Sequence, residues 1–233
     1  MSVRRRLGKA LTRMGFRRSW EDRCFSAARR WSNRELARLA PLFSGDVVNV
    51  SAWEDKDKEG RRYADYFPGK RSYTITNYGT EQGVLQGRED ELFLDLEKPL
   101  DPALERRFDV VFNHTTLEHV WDFRTAFAHL CALSADIVIL VVPWIQPQHT
   151  DYGDFWRFSP QALARLFDEE GFTTLYLSWG RGEGEAVYVF GIGTRKPETW
   201  RDRFAESLVD PSAPGFLKLP PDYAGRRLFP GAP

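Results

Sequence analysis

The chain has 233 residues, enough for one α/β domain with extensions, and its 33 Lys and Arg balance 33 Asp and Glu. Zero net charge carries no global signature of a nucleic-acid binder. No apolar run reaches the ~18 residues of a membrane span, the basic start lacks the apolar stretch of a secretory signal, and two cysteines, Cys24 and Cys131, make no disulfide framework. A reducing compartment, the cytoplasm, is the expectation.

Charge is uneven. Residues 1–44 hold 12 Arg or Lys against 3 Asp or Glu, so they carry +9 and the remainder −9. Leu7, Ala10, Leu11, Met14, Leu36, Leu39 and Ala40 fall at helical spacing among these arginines. Two readings follow: a solvated helical cap on the domain, or a basic amphipathic face resting on an anionic membrane or an acidic partner.

Gly45-Asp46 punctuates the chain, and the first strand follows at 47–50. It enters a turn reading Val50-Ser51-Ala52-Trp53-Glu54-Asp55. The polar segment 55–67 is helical in character and ends at Pro68-Gly69. The β-branched run at 72–77 is the second strand, and 91–95 is the third, with Asp95 at its end. After a surface connection at 99–107, Val110 to Phe112 form an apolar run without polar alternation, as in a central strand covered on both faces. That fourth strand, 109–113, turns polar at Asn113 and His114, and a helical segment runs on to about Leu133. The fifth strand, 136–142, is the most continuous apolar run and ends at Pro143-Trp144. Ser159 with Pro160 begins a helix that Gly171-Phe172 ends. Strands at 173–179 and 186–193 flank the glycine-rich loop 180–184 as an antiparallel edge hairpin. The expected organisation is a basic helical extension (1–44), an α/β domain (45–196) and a Pro-rich extension (197–233), with a mostly parallel seven-stranded sheet flanked by helices.

In such a sheet, ligands bind at the carboxyl ends of the strands. The polar residues at those ends are Asn77, Asp95, Asn113 and His114, with His149 and Asp151 beyond the fifth strand. Each has a plainer reading: Asn77 as a turn residue before Tyr78-Gly79, Asp95 as a cap, and His114 or His149 as a hydrogen-bonded loop residue. His119 reads as structural, and His129 as a helix-surface or packing residue. His149, Asp151 and Asp154 match no tight metal-ligand spacing, so no metal site is expected.

The stretch FDVVFNHTTLEHV at 108–120 resembles the signature after the fourth strand of class I S-adenosylmethionine-dependent methyltransferases, in the small-molecule, methyltransferase type 11-like branch. The pattern DLEKPL around Asp95 and the run IQPQHTDYGDFWRF at 145–158, followed by Ser-Pro and a later Gly-Phe, are similar to the same branch. DKEGRRYADYF resembles the helix after the first turn in members that act on cell-envelope sugars. The resemblance spans about residues 45–195 and implies a Rossmann-like fold. The family's glycine-rich first turn is degenerate here, with Ser51 and Trp53 in place of glycines.

What the resemblance implies is S-adenosylmethionine held by Val50, Ser51, Ala52, Asn77, Asp95, Asn113 and His114. Asp95 would accept from the adenine amine and Asn77 from the ribose. Methyl transfer would go to a small molecule or cell-envelope sugar by direct displacement at the sulfonium. His149 stands first as a base, with Asp151 close by, and His114 second. Trp144, Trp156 and Arg157 would contact the acceptor by stacking and hydrogen bonds. The alternative is a non-catalytic methyltransferase-like binding or scaffold domain in envelope-glycan biosynthesis, which the altered first turn favours. No G-x-G-x-x-G follows the first strand, which argues against a nicotinamide dehydrogenase.

Overall fold

The longest strand, β5 (Ser134–Pro143), is buried at nine of its ten positions, as its apolar run requires. The computed structural model describes residues 26–79, 85–149, 153–179 and 188–204. Six more strands join β5: β1 (Ser44–Val50), β2 (Gly69–Asn77), β3 (Glu91–Phe93), β4 (Phe108–His114), β6 (Thr173–Trp179) and β7 (Tyr188–Thr194). They form one seven-stranded sheet in the order β3-β2-β1-β4-β5-β7-β6. Pairing is parallel from β3 to β5, and antiparallel where β7 meets β5 and β6. Val50 stands opposite Asn113, so the ends of β1 and β4 are in register at the reversal of strand order.

Helices cover both faces. α1 (Ala28–Leu39) buries Trp31, Leu36 and Leu39 against Val110, Phe112, Ile139 and Phe190. These residues of the basic segment therefore contribute to the core itself. α2 (Phe123–Leu133) and α3 (Pro160–Glu169) cover the opposite face with Phe127, Leu130, Leu163 and Phe167. Ser159 accepts from Ala162 N at 3.1 Å with Pro160 at the first helical position, and Gly171 leaves the helix at φ +72°. The short α4 (Pro197–Trp200) and the 3-10 turn Arg201–Phe204 bring Trp200 and Phe204 onto Phe43. No described helix is long and apolar enough to cross a membrane.

Three local expectations are corrected. Segment 55–67 forms turns and one 3-10 element, Tyr63–Tyr66, rather than an α-helix. Two aspartates explain this by capturing backbone N–H groups, which offers the chain an alternative to helical bonding. Asp57 Oδ1 accepts from Glu59 N at 2.8 Å and Arg61 N at 2.9 Å. Asp55 Oδ2 accepts from Ala64 N at 3.4 Å, while its Oδ1 accepts from Asn49 Nδ2 at 2.9 Å and from the Tyr73 hydroxyl at 2.6 Å.

The helix expected from 117 to about 133 is two elements, a 3-10 turn at Leu117–His119 and then α2. Trp156 Nε1 takes the carbonyls of Val120 and Trp121 at 3.0 and 3.1 Å, and Asp122 caps a fresh start through Thr125 N at 3.2 Å. Finally, β3 ends at Phe93, two residues before Asp95. There the Asp95 carboxylate accepts from Glu97 N at 2.9 Å and closes a turn.

Candidate functional site at the carboxyl ends of the strands

β1 leads into the turn at 51–55. Ser51, Trp53 and Asp55 all adopt left-handed backbone, at φ 58°, 50° and 58°. The turn thus has the conformation that glycine favours, built from residues that resist it. The Trp53 ring is 57% exposed and turned to solvent, so its bulk does not fill the turn. Four of the turn's five backbone donors are satisfied within the protein. Ser51 N donates to Thr76 Oγ1 at 3.2 Å, Ala52 N to Thr76 O at 3.0 Å, Trp53 N to Asn77 Oδ1 at 2.7 Å and Asp55 N to Ala52 O at 2.9 Å.

Asn77 is therefore a clamp on the first turn. Its Nδ2 donates to Trp53 O at 3.1 Å and to Glu91 Oε1 at 2.6 Å. The buried side chain thus spends one of its acceptor positions and both donors on the first turn and Glu91. Burial works against the charge of Glu91, but the Asn77 amide and the backbone N–H groups of Gln86, Gly87 and Arg88 hold its carboxyl below the ordinary range.

Asn113 and His114 lie on opposite faces of β4, as adjacent strand residues must. Asn113 Nδ2 donates to Val50 O and Thr116 Oγ1, both at 2.9 Å, which ties the end of β4 to the first turn. Its buried Oδ1 has no protein partner. His114 points to the α1 face, where its ring meets those of Tyr63 and Tyr188. Arg29 Nη1 donates to His114 Nδ1 at 3.1 Å, so Nε2 carries the proton and donates to Ser32 Oγ at 2.9 Å. Burial, then the Arg29 charge, pushes the imidazole well below its usual pKa. With both ring nitrogens engaged and protonation suppressed, His114 positions Arg29 rather than serving as a base. Arg29 Nη2 also donates to Thr115 Oγ1 at 2.8 Å.

Beyond β4 stands a group that sequence reasoning missed. Glu118, in the turn Leu117–His119, is fully buried, and among the described residues no other residue donates a hydrogen bond to either carboxylate oxygen. Burial pushes its pKa up to about 8, against the pull of its own backbone N–H and then of the Arg29 and Arg157 charges. Its neighbour His119 has Nδ1 2.7 Å from Gly153 O, and its Nε2 lies 3.6 Å from Glu118 Oε1. His149, after β5, brings its ring to 5.4 Å from that of His119. Burial lowers the pKa of both histidines.

Asp154 lies beside His149. Asp154 Oδ2 accepts from His149 N at 2.9 Å and lies 3.3 Å from His149 Nδ1. Burial alone would raise the Asp154 carboxyl, but the Arg157 guanidinium holds it at about 2. Asp151 lies outside the described residues.

The expected acceptor contacts are otherwise engaged. Arg157 binds Asp154 at 2.6 and 2.8 Å and donates to the carbonyls of Gln146 and Trp156 at 2.6 and 2.7 Å. Trp156 packs against Trp121 and Phe123 at centroid distances of 5.6 and 4.8 Å, so it pins the segment after β5 onto α2. Trp144 meets Trp179 edge-on at 5.9 Å. Asp95, half-buried, keeps a carboxylate with acceptor capacity beyond its own turn. Glu118 was visible in LEHV, but nothing in the string tells that its carboxylate is buried or that His149 returns beside it.

No family model matches the sequence, and no curated protein matches it. Solved structures match in fold. Magnesium protoporphyrin IX methyltransferase (ChlM) from Synechocystis PCC 6803, with bound SAH, is similar at TM-score 0.52 and 11% identity over 77% of this chain and 88% of that one. The 1,6-didemethyltoxoflavin-N1-methyltransferase of Burkholderia thailandensis is similar at TM-score 0.51 and 17% identity, over 83% of this chain and 91% of that one. A match to the CurJ carbon methyltransferase has TM-score 0.48 and 16% identity over 70% of this chain, which spans 52% of that chain. The strand order and the first two likenesses give the chain the class I S-adenosylmethionine-dependent methyltransferase fold.

Proposed function

We propose that the chain is an S-adenosylmethionine-dependent methyltransferase acting on a small molecule. The observation that carries this reading is the pairing of Val50 with Asn113 at the point where strand order reverses, beside a glycine-type turn at 51–55. The residues there fit the cofactor in three respects. The left-handed turn permits close backbone approach, Asn113 Oδ1 is a buried acceptor without a protein partner, and Asp95 offers a carboxylate to an adenine amine.

When bound, the sulfonium supplies an activated methyl carbon for direct displacement. The chain contributes orientation, with β4 and β5 presenting Glu118, His119 and His149 to the acceptor. A proton leaving an acceptor oxygen or nitrogen would be received within that group. A cell-envelope sugar is a finer form of the proposal and rests on the resemblance of DKEGRRYADYF alone. The cytoplasm is the proposed location. Residues 1–44, at +9, support salt-sensitive attraction to an anionic membrane surface. Because α1 belongs to the core, the test is Arg4, Arg5 and Arg6 replaced together by Gln. Liposome co-sedimentation at low salt should fall, and unchanged binding rules the attraction out.

One observation favours the non-catalytic alternative: the backbone donors of Ser51, Ala52, Trp53 and Asp55 are satisfied without a ligand. Titration calorimetry with S-adenosylmethionine decides between the two. The enzyme reading expects binding that Asp95→Ala weakens by roughly ten- to a hundred-fold, the equivalent of about 1–3 kcal/mol. No heat from wild type or from Trp53→Gly at millimolar cofactor would favour the non-catalytic domain.

A further inference from the structure

Glu118, His119 and His149 each place a ligand-type atom within 4.8 Å of the other two. Glu118 and His119 come from the turn after β4, and His149 from the segment after β5. A backbone hydrogen bond from Phe155 N to Glu118 O, at 2.7 Å, fixes these two segments together.

The buried carboxylate is the feature that demands an explanation. A carboxyl group removed from water without hydrogen bonds is costly whether ionised or protonated. Among the described residues no other residue donates to either oxygen of Glu118, while its ionised form would be satisfied by a cation.

The histidine beside it is prepared for the same ligand. A carbonyl can only accept, so His119 Nδ1 bears the proton that it donates to Gly153 O. Its Nε2 therefore carries the lone pair, and Nε2 is the atom 3.6 Å from Glu118 Oε1. A carbonyl on one ring nitrogen, with the other ring nitrogen facing the metal side, is the usual outer-shell arrangement of a metal-binding histidine. Asp154 holds His149 through its backbone, accepting from His149 N at 2.9 Å, and places a carboxylate oxygen 3.3 Å from its ring.

We propose that Glu118, His119 and His149 form a binding site for a divalent transition-metal ion, with coordination positions left open. Two imidazoles and one carboxylate select zinc, cobalt, manganese or iron over magnesium and calcium, which prefer all-oxygen shells. Ligand atoms about 2.1 Å from such an ion stand roughly 3.4 Å apart in a tetrahedral shell. The present group, with its ligand atoms within 4.8 Å of one another, is somewhat wider than that shell. Three protein ligands leave room for an oxygen from outside. That oxygen would come from the acceptor, a clause that rests on the methyltransferase reading, whereas metal binding does not.

Cobalt(II) titration of the full-length, metal-free protein tests the proposal without any methyl transfer. One equivalent should generate visible d–d absorption. Glu118→Gln, which conserves volume, and His119→Ala should each abolish the one-equivalent band, while His129→Ala, on α2 and outside the group, should retain it. Far-UV circular dichroism confirms that each variant is folded. If His149→Ala proves unfolded, Glu118→Gln and His119→Ala carry the test. No band in wild type, or an equal band in folded Glu118→Gln and His119→Ala, overturns the proposal. Cobalt binding with no S-adenosylmethionine binding would retain the metal site and remove only the methyltransferase role.

Discussion

Asn77 grips both backbone polar groups of Trp53, accepting from its N–H at 2.7 Å and donating to its carbonyl at 3.1 Å. The end of β2 thereby fixes the left-handed residue that follows β1. Asn77→Ala should cost about 1–3 kcal/mol of stability, because it leaves buried groups without partners. Asn77→Asp should cost at least as much, since a second carboxylate would stand where the amide now meets Glu91 at 2.6 Å. Urea denaturation measures both. An Asn77 that acted only on ribose would leave the unfolding midpoint unchanged.

Trp53 itself provides a converse test. A left-handed φ costs a non-glycine residue roughly 1–2 kcal/mol, and glycine returns about 0.5–1 of this through its freer unfolded chain. Trp53→Gly should therefore stabilise by up to about 1 kcal/mol, because the exposed ring gives up little packing. The same measurement on Ser51→Gly should move in the same direction. Loss of stability in both would mean that the side chains hold the turn in a way that the contacts do not reveal.

The strands were legible because they are apolar runs, and a run such as Val110 to Phe112 has few other folded solutions. Ser159-Pro160 and Gly171-Phe172 were legible because caps act within a few residues. The segment at 55–67 was not, because Asp55 and Asp57 accept from backbone N–H groups of the segment in competition with a helix and no periodicity records this. In the site, position was legible and availability was not. Asn77, His114 and Arg157 stand near the expected ends, yet their donors and acceptors are engaged by partners distant in sequence. Glu118 is the opposite case: its significance lies in the missing partner, which depends on burial by the whole fold.

Tyr176 links β6 to α1 and predicts an alkaline limit to stability. Its hydroxyl donates to Glu35 and accepts from Arg38 Nη2 at 2.7 Å. Burial first, then the Glu35 carboxylate, pushes the phenol up to about 12, against about 10 in an unfolded chain. A raised pKa means that the folded state favours the proton, so the contribution is complete below about pH 10 and is lost as pH rises toward about 12. Thermal melts across that range should fall more steeply for wild type than for Tyr176→Phe, which has no proton to lose there. Parallel curves would assign the alkaline loss to other buried tyrosines.

The packing of α3 on β7 depends on two glycines that differ in tolerance. A Cβ at Gly191 would meet Leu163 Cδ2 at 2.6 Å, the end of a flexible side chain that can turn away. A Cβ at Gly193 would meet Phe167 Cδ1 at 2.5 Å and Cε1 at 2.6 Å, in a fully buried ring. That ring is held by Phe127 at 5.4 Å and Phe172 at 6.2 Å, so it has no direction in which to yield. Gly193→Ala should cost about 1–3 kcal/mol by overpacking, and Gly191→Ala less. Phe167→Leu alone should also destabilise, by about 1 kcal/mol or more, through lost contact and a small cavity. The two changes act on the same space, so the double variant should lose less than the sum of the singles. Chemical denaturation of all three variants measures this coupling. Strict additivity would show that the loss at Gly193 arises in the strand backbone and not at the ring.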